Sequence, residues 1–272
     1  MYQSMTPVAP ISPAVGYCGG KRLLAKRICP LIDAIPHTSY VEPFCGMGGV
    51  FFRRQRRPRS EVINDLNLDV ATFFRVARRH PEALLTELEY QVTSRSDFDR
   101  LRKASATSLT DIERAARFFY LQRCAFGGRV TEQAFGVRRG GHAGLFCASK
   151  ASEFISMLHK RLAKVVVEAL PYQDIITRYD TSDTLFYLDP PYHGSEQLYG
   201  KGMFERGDYA RLAEQLAAIR GRFILSLNDH PDIRQAFVAF EQLEVSTNYT
   251  VGRRDGKQAN ELIISNVSLT VP

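Results

Sequence analysis

Asp189, Pro190, Pro191 and Tyr192 stand in a row directly after the apolar run Leu185-Phe186-Tyr187-Leu188. The Asp189 carboxylate and the Pro190 carbonyl are hydrogen-bond acceptors, and the Tyr192 ring offers a flat apolar face. Together they suit an exocyclic amine on a flat heterocycle. Such an amine is a poor nucleophile because its lone pair is delocalised into the ring, so a reaction there needs preorganised acceptors and in-line positioning. The same four residues also suit a strand that merely stops and turns, since proline cannot donate to a sheet ladder and restricts the residue before it.

A second constellation bears on that choice. Gly46-Met47-Gly48-Gly49 follows Tyr40-Val41-Glu42-Pro43-Phe44, and Asp65 lies 19 residues after Gly46. In a doubly wound sheet a glycine turn lets backbone approach a ligand, while an acid ending the next strand accepts hydrogen bonds from ribose hydroxyls. The spacing therefore points to a nucleoside cofactor. A full G-x-G-x-x-G is absent, and no Walker lysine with Ser or Thr follows the turn. A dinucleotide pyrophosphate and ATP are disfavoured accordingly.

Both constellations need a sheet to hold them. Short apolar, β-branched or aromatic runs alternate with helix-like patterns, which is the signature of a mainly parallel α/β sheet of Rossmann-like type. The patterns predict seven strands, near 40–44, 61–64, 164–169, 184–188, 222–227, 242–250 and 261–266, and helices over 21–34, 47–54, 69–78, 81–92, 110–124, 152–162, 208–219 and 231–238. Only Gly252 to Lys257 joins the last two strands, too short for a crossover helix, so they form a terminal antiparallel hairpin. The second and third strands lie about 100 residues apart, far more than one crossover requires. A helical subdomain inserted at 81–160 accounts for the excess. The catalytic and cofactor-binding domain then comprises 14–80 and 161–272, with 1–13, rich in proline and small residues, as a flexible lead-in.

Strand polarity sorts the basic residues. Asp189 and the glycine turn fall at the carboxyl edge of the sheet, where the loop bearing Arg253, Arg254 and Lys257 also reaches a bound polyanion. The cluster Arg53, Arg54, Arg56, Arg57 and Arg59 follows a helix that runs back to the opposite edge, and reads as a solvated charged loop. Residues 95–150 hold eleven basic residues against five acids, and Gly127-Gly128 and Gly140-Gly141 flank a projecting stretch from Arg129 to Arg139.

Thirty-six Lys and Arg against 29 Asp and Glu give a formal charge of +7 in 272 residues, which favours an anionic partner. No apolar run approaches the roughly 18 residues of a membrane span. Five cysteines, odd in number and without paired metal spacing, fit a reducing cytoplasm, and the six histidines show no ligand pattern in sequence. No metal is expected.

On these residues the chain resembles the Dam-like adenine-N6 DNA methyltransferases, which use S-adenosylmethionine. The resemblance runs from Tyr17-Cys18-Gly19-Gly20-Lys21 through Val41 to Phe51, Asn64-Asp65 and the segment Arg117 to Arg129, to Asp189-Pro190-Pro191-Tyr192 and Asn260-Glu261-Leu262. It implies a methyltransferase sheet carrying an inserted target-recognition subdomain. Tyr17 and Lys21 would line the methionine side of the cofactor, and Phe44 with Gly46 and Gly48 would form the turn beneath it. Asp65 would hold the ribose, Asp174 would contact the cofactor's adenine, and Asp189 would serve both cofactor amine and target amine. This chain departs from the family's usual Lys-Trp-Ala-Gly-Gly-Lys with Gly16-Tyr17-Cys18-Gly19-Gly20-Lys21, and from its Phe-Asn-Gly with Phe126-Gly127-Gly128.

The implied reaction moves a methyl group to N6 of an adenine flipped out of double-stranded DNA, with Asp189 and the Pro190 carbonyl accepting the N6 hydrogens and Tyr192 stacking on the base. Phosphate contacts set position, while Arg129, Arg138 or Arg139 are candidates to read base edges. The expected protein is cytoplasmic and monomeric. An amino-methyltransferase acting on RNA or on a protein glutamine, a cytosine-N4 enzyme and a catalytically inactive DNA-binding relative are the competing readings. The intact Asp189-Pro190-Pro191-Tyr192 speaks against the last, and Asp at position 189 against the glutamine and cytosine enzymes.

Overall fold

The computed structural model describes residues 5–12, 21, 23–136, 145–196, 202–249 and 257–269. Its centre is a seven-stranded sheet of β1 (Ser39–Glu42), β2 (Ser60–Asn64), β3 (Val165–Glu168), β4 (Thr184–Leu188), β5 (Arg222–Asn228), β6 (Glu241–Tyr249) and β7 (Lys257–Ser265). The order across the sheet is β3-β2-β1-β4-β5-β7-β6. All neighbours pair parallel except β7, which is antiparallel to both β5 and β6. Order therefore reverses between β1 and β4, and the glycine turn and Asp189 leave the sheet at that switch point, where such folds bind ligands.

The apolar run of β4 shows why a central strand reads as continuous. Leu185 and Tyr187 join the core on one face and Phe186 and Leu188 the core on the other, so every residue is buried. Helices α1 (Ala25–Ala34), α2 (Leu68–Arg79), α3 (Pro81–Glu89), α5 (Asp111–Cys124) and α6 (Ala148–Arg161) pack on the first face. On the second lie α7 (Tyr172–Tyr179), α8 (Gly207–Ala218) and α9 (Pro231–Ala236). The helices of 81–160 share one apolar cluster with α2, where Phe73 stacks on Phe119 at 5.5 Å between ring centroids. No helix among the described residues is long and apolar enough to cross a membrane.

Four expectations are corrected. The helix over 47–54 is only a 3-10 turn at Phe51–Arg53, because Gly46 and Gly48 take positive φ and the chain then turns extended at Arg54. The lead-in is docked: Thr6–Pro7 pairs antiparallel with Arg56–Arg57, and Ile11 is buried. Two helices escaped the hydrophobic pattern, namely α7 and α4 (Arg95–Lys103), the latter with Phe98 as its one buried residue. The arginine cluster is not wholly solvated either. Arg54 is fully buried, its guanidinium 3.6 Å from the Tyr40 ring centroid and ion-paired with Glu61, which also receives two hydrogen bonds from Arg161.

Candidate active site

The ends of β1 and β2 build the first half of the site. Gly46 and Gly48 adopt φ +50° and +70°, the left-handed region that favours glycine, and the chain folds back so that the Gly48 amide donates to the Cys45 carbonyl at 2.8 Å. Asp65, just past β2, accepts the Gly46 amide at 2.7 Å on one carboxylate oxygen and the Asn67 amide at 2.9 Å on the other. Burial lifts the Asp65 carboxyl to about 6 against the lowering effect of those two amides. At pH 7 it remains an anion with spare lone pairs. Buried Asn64, which sequence reasoning passed over as a site residue, ties β2 to both neighbouring loops. Its amide donates to the Pro43 and Leu170 carbonyls and its oxygen accepts the Leu170 amide.

An aromatic wall stands beside this turn. Phe44 lies 5.4 Å from Tyr172 and 5.9 Å from Phe204, ring centroid to centroid, and Tyr172 and Phe204 touch in turn. Asp174 sits two residues beyond Tyr172 on the first turn of α7, with an exposed side chain.

The second half comes from β4, β5 and β7. Lys21, though distant in sequence, is buried with its backbone against Gly49, so that an added Cβ on that glycine would meet the Lys21 nitrogen at 3.3 Å. Its ammonium lies 2.8 Å from Oδ1 of Asp189 and 4.3 Å from the Tyr192 ring centroid. Ser226 on β5, also buried, donates to the same Oδ1 at 3.2 Å. The Ser226 hydroxyl has one proton, so the Tyr187 hydroxyl is the donor in the 2.8 Å bond between them. Glu261, buried on β7, accepts the Tyr192 hydroxyl. Tyr209 holds the backbone between them, donating to the Pro191 carbonyl at 2.9 Å.

Electrostatics follow from that packing. Burial pushes the Asp189 carboxyl up to about 6, the Lys21 ammonium pulls it down, Glu261 pushes it up and the Ser226 hydroxyl lowers it slightly. At neutral pH Asp189 is an ionised acceptor. Glu42, buried at the end of β1, is raised to about 8 by burial and partly restrained by the Tyr40 hydroxyl and Arg54, so it carries a proton at pH 7.

The chain matches the model of the D12 class N6 adenine-specific DNA methyltransferases over residues 17–251, a span that contains every residue of this site named above except Glu261. It belongs to that family. The protein is an enzyme that methylates adenine in DNA at specific sites, and S-adenosylmethionine is the general methyl donor of such methyltransferases. Among its relatives is the type II methyltransferase M.CviBI of Paramecium bursaria Chlorella virus NC1A, 21% identical over 259 aligned positions that cover 93% of this chain and 96% of the relative. M1.LlaDCHI of Lactococcus lactis subsp. cremoris is 25% identical over 280 residues, 94% and 95% of the two chains, and M.MjaIII of Methanocaldococcus jannaschii 23% identical over 237 residues, 75% and 78%.

This methyltransferase brings Lys21, Phe44, Gly46, Gly48 and Asp65 to one sheet edge with Asp189 to Tyr192. Tyr17, Arg138, Arg139, Arg253 and Arg254 lie outside the described residues, and Lys257 opens β7. Arg129 is exposed on a hairpin closed by the Phe126 amide on the Ala134 carbonyl and the Gly136 amide on the Cys124 carbonyl, both 2.8 Å. Buried Gln122 and Gln133, 2.5 Å apart, brace that hairpin, and Phe126 at its start is 63% exposed. Other arginines of the basic segment have duties within the fold. Arg114 and Arg117 pair with Asp69, and Arg117 also donates to the Leu101 carbonyl. Ser226 belongs to no motif legible in the sequence, and Glu261 stands there only within Asn260-Glu261-Leu262. Glu261 had a signal: an acid directly before the apolar run Leu262-Ile263-Ile264 of β7 must have a partner if buried.

Proposed function

We propose that this enzyme takes its methyl group from S-adenosylmethionine held at the glycine turn and delivers it to N6 of an adenine swung out of double-stranded DNA. The residues present fit that cofactor. Asp65 offers ionised acceptors for ribose hydroxyls, Phe44 with Tyr172 and Phe204 offers an apolar wall for a flat base, and the turn carries no lysine for a polyphosphate. When bound, the cofactor supplies an electrophilic methyl group on a sulfonium.

The chain's own groups do the rest. Lys21 and Ser226 both engage Oδ1 of Asp189, which fixes the carboxylate and leaves Oδ2 to accept one N6 hydrogen, with the Pro190 carbonyl accepting the other. Two fixed acceptors localise the nitrogen lone pair and aim it. Tyr192, anchored through its hydroxyl by Glu261, replaces the stacking the base gives up on leaving the duplex. Proton loss follows methyl transfer, when the amine is cationic, since a carboxylate is a poor base for a neutral amine. Residues 81–160 form the target-recognition part, with Arg129, Arg138 and Arg139 against the DNA and Arg253, Arg254 and Lys257 as further phosphate contacts. By the likeness to the type II methyltransferases, a modification partner of a restriction system is the expected role.

The observation that carries this reading is the fixed carboxylate of Asp189 beside the Tyr192 ring, on the edge shared with Asp65 and the glycine turn. Asp189→Ala, assayed with labelled cofactor on duplex DNA, abolishes N6-methyladenine formation while retaining a cooperative unfolding transition. Retained turnover overturns the assignment.

A further inference from the structure

The histidines that show no ligand pattern in sequence form one in space. His193, the residue after Tyr192, approaches His230 and Asp232 so that one ligating atom from each lies within 4.8 Å of the others. Nε2 of His193 is 3.3 Å from Oδ2 of Asp232, and Nδ1 of His230 is 3.6 Å from the same oxygen. A tetrahedral ion with ligands at roughly 2.0–2.2 Å holds its donor atoms about 3.3–3.6 Å apart. The two distances to Oδ2 of Asp232 meet that requirement, and a turn of one imidazole out of the stack brings both ring planes onto a shared ion.

We propose that His193, His230 and Asp232 form a binding site for a borderline divalent transition-metal cation of the zinc type, with water completing the coordination shell. Two imidazoles and one carboxylate suit zinc, cobalt or nickel better than magnesium or calcium, which prefer an all-oxygen set. Support for each ligand is in place. Asn228, at the end of β5, clamps the His193 backbone from both sides, accepting its amide at 2.9 Å and donating to its carbonyl at 3.2 Å. The two imidazole rings lie only 3.9 Å apart between centroids, so rotating one ring aims both at a shared ion, and Pro231 opens α9 between the other two ligands. Nδ1 of His230 accepts the Asp232 amide at 3.2 Å, so the lone pair that an ion takes is unprotonated and gives up one long hydrogen bond. The Asp232 side chain, 70% exposed, opens the site to solvent.

The site joins two segments that meet only beside the catalytic motif: the turn following Tyr192 and the turn following β5. A bound ion therefore ties the chain just after Tyr192 to the chain just after Ser226 and stiffens the platform on which the target base is held. That consequence rests on the proposed function; the binding itself does not.

The test uses the full chain stripped with a chelator and titrated with Co2+, whose visible absorption bands intensify in a four-coordinate nitrogen and oxygen site. One equivalent binds and Zn2+ displaces it. His193→Ala and Asp232→Asn each weaken Co2+ binding at least tenfold, while His80→Ala, at an exposed histidine elsewhere, leaves it unchanged. Zn2+ also raises the Tm of the parent protein and not that of Asp232→Asn, a substitution at an exposed side chain that leaves folding intact. Identical titrations of parent, His193→Ala and Asp232→Asn overturn the site. All readouts are of metal binding, so they stand or fall separately from methyl transfer.

Discussion

The Lys21 ammonium lies 2.8 Å from Oδ1 of Asp189, and both side chains are withdrawn from solvent, Lys21 to 2% and Asp189 to 19% exposure. Lys21 precedes α1 and Asp189 follows β4, so this one contact fastens the segment before α1 to the Asp189-Pro190-Pro191-Tyr192 motif. Removing one member of a buried ion pair strands the other charge, which costs more than the pair contributes. The contact thus keeps Asp189 ionised and aimed, at the expense of a charge balance that its neighbours tune.

That tuning sets a pH dependence. With its carboxyl at about 6, Asp189 loses the acceptor role proposed for it as pH falls through that value, so kcat/KM for methylation drops about tenfold per unit below pH 6 and is level above it. Lys21, Glu261, Ser226 and Tyr187 face the carboxylate. Ser226→Ala removes a donor that favours the anion and moves the acid limb up, whereas Glu261→Gln removes a neighbouring negative charge and moves it down. Rate profiles in which both variants shift in the same direction would show that another group titrates.

Gly48→Ala separates backbone strain from crowding. Gly48 sits at φ +70°, and a Cβ there falls on the buried Phe52 ring; Gly127 sits at φ +68° with nothing within 4 Å of an added Cβ. Left-handed backbone costs a non-glycine residue about 1–3 kcal/mol, and overpacking adds about 1–3 kcal/mol. Gly127→Ala therefore shows the strain alone and Gly48→Ala the sum, on the order of 2–6 kcal/mol, in urea unfolding with unchanged m-value. Equal losses would mean that Phe52 swings aside freely.

The Arg54–Glu61–Arg161 triad lies at the opposite end of the strands from Asp189, packed between Tyr40 and Phe51, with Arg161 4.3 Å from the Phe51 ring centroid. Glu61→Gln leaves two buried guanidiniums without their shared anion and costs about 3–5 kcal/mol of unfolding free energy. Arg161→Met leaves a neutral pair of Arg54 and Glu61 and costs less. A larger loss for Arg161→Met than for Glu61→Gln would overturn that account.

The contrast between these sites explains what was legible in the sequence. The central strands could be read because runs such as Phe223 to Leu227 bury them, the edge strand β3 because Val165 to Val167 are β-branched, and chemistry clustered at strand ends in short motifs. Helix α4 could not, since among its nine residues only Phe98 and Leu101 are apolar and its start rests on a Ser94 cap. Arg54 read as solvated because its neighbours are charged; its burial depends on Glu61 and Arg161, the latter 107 positions away. The His193, His230 and Asp232 cluster fails to show for the same reason: the turn after β4 and the turn after β5 meet only once the strands pair. Motifs report local chemistry, while contacts between strand ends need the sheet.

Phe126 and Arg129 stand on one braced hairpin but should fail differently when truncated. Phe126 is 63% exposed beside two glycines of positive φ, and Arg129 is exposed three residues later. Truncating either surface side chain changes stability by less than about 0.5 kcal/mol. If Arg129 contacts phosphate, Arg129→Ala lowers affinity for all duplexes alike and reduces the slope of log K against log salt by about one; if it reads a base, preference for one position relaxes and the slope holds. Phe126→Ala removes an aromatic face without removing charge, so a role in filling the stack left by the flipped adenine lowers kcat/KM on duplex DNA with the salt slope unchanged. The discriminating measurement is kcat/KM on a duplex whose target adenine is mispaired: there the loss from Phe126→Ala shrinks, because the base is already easier to extrude. An equal loss on paired and mispaired DNA would remove Phe126 from the flipping step.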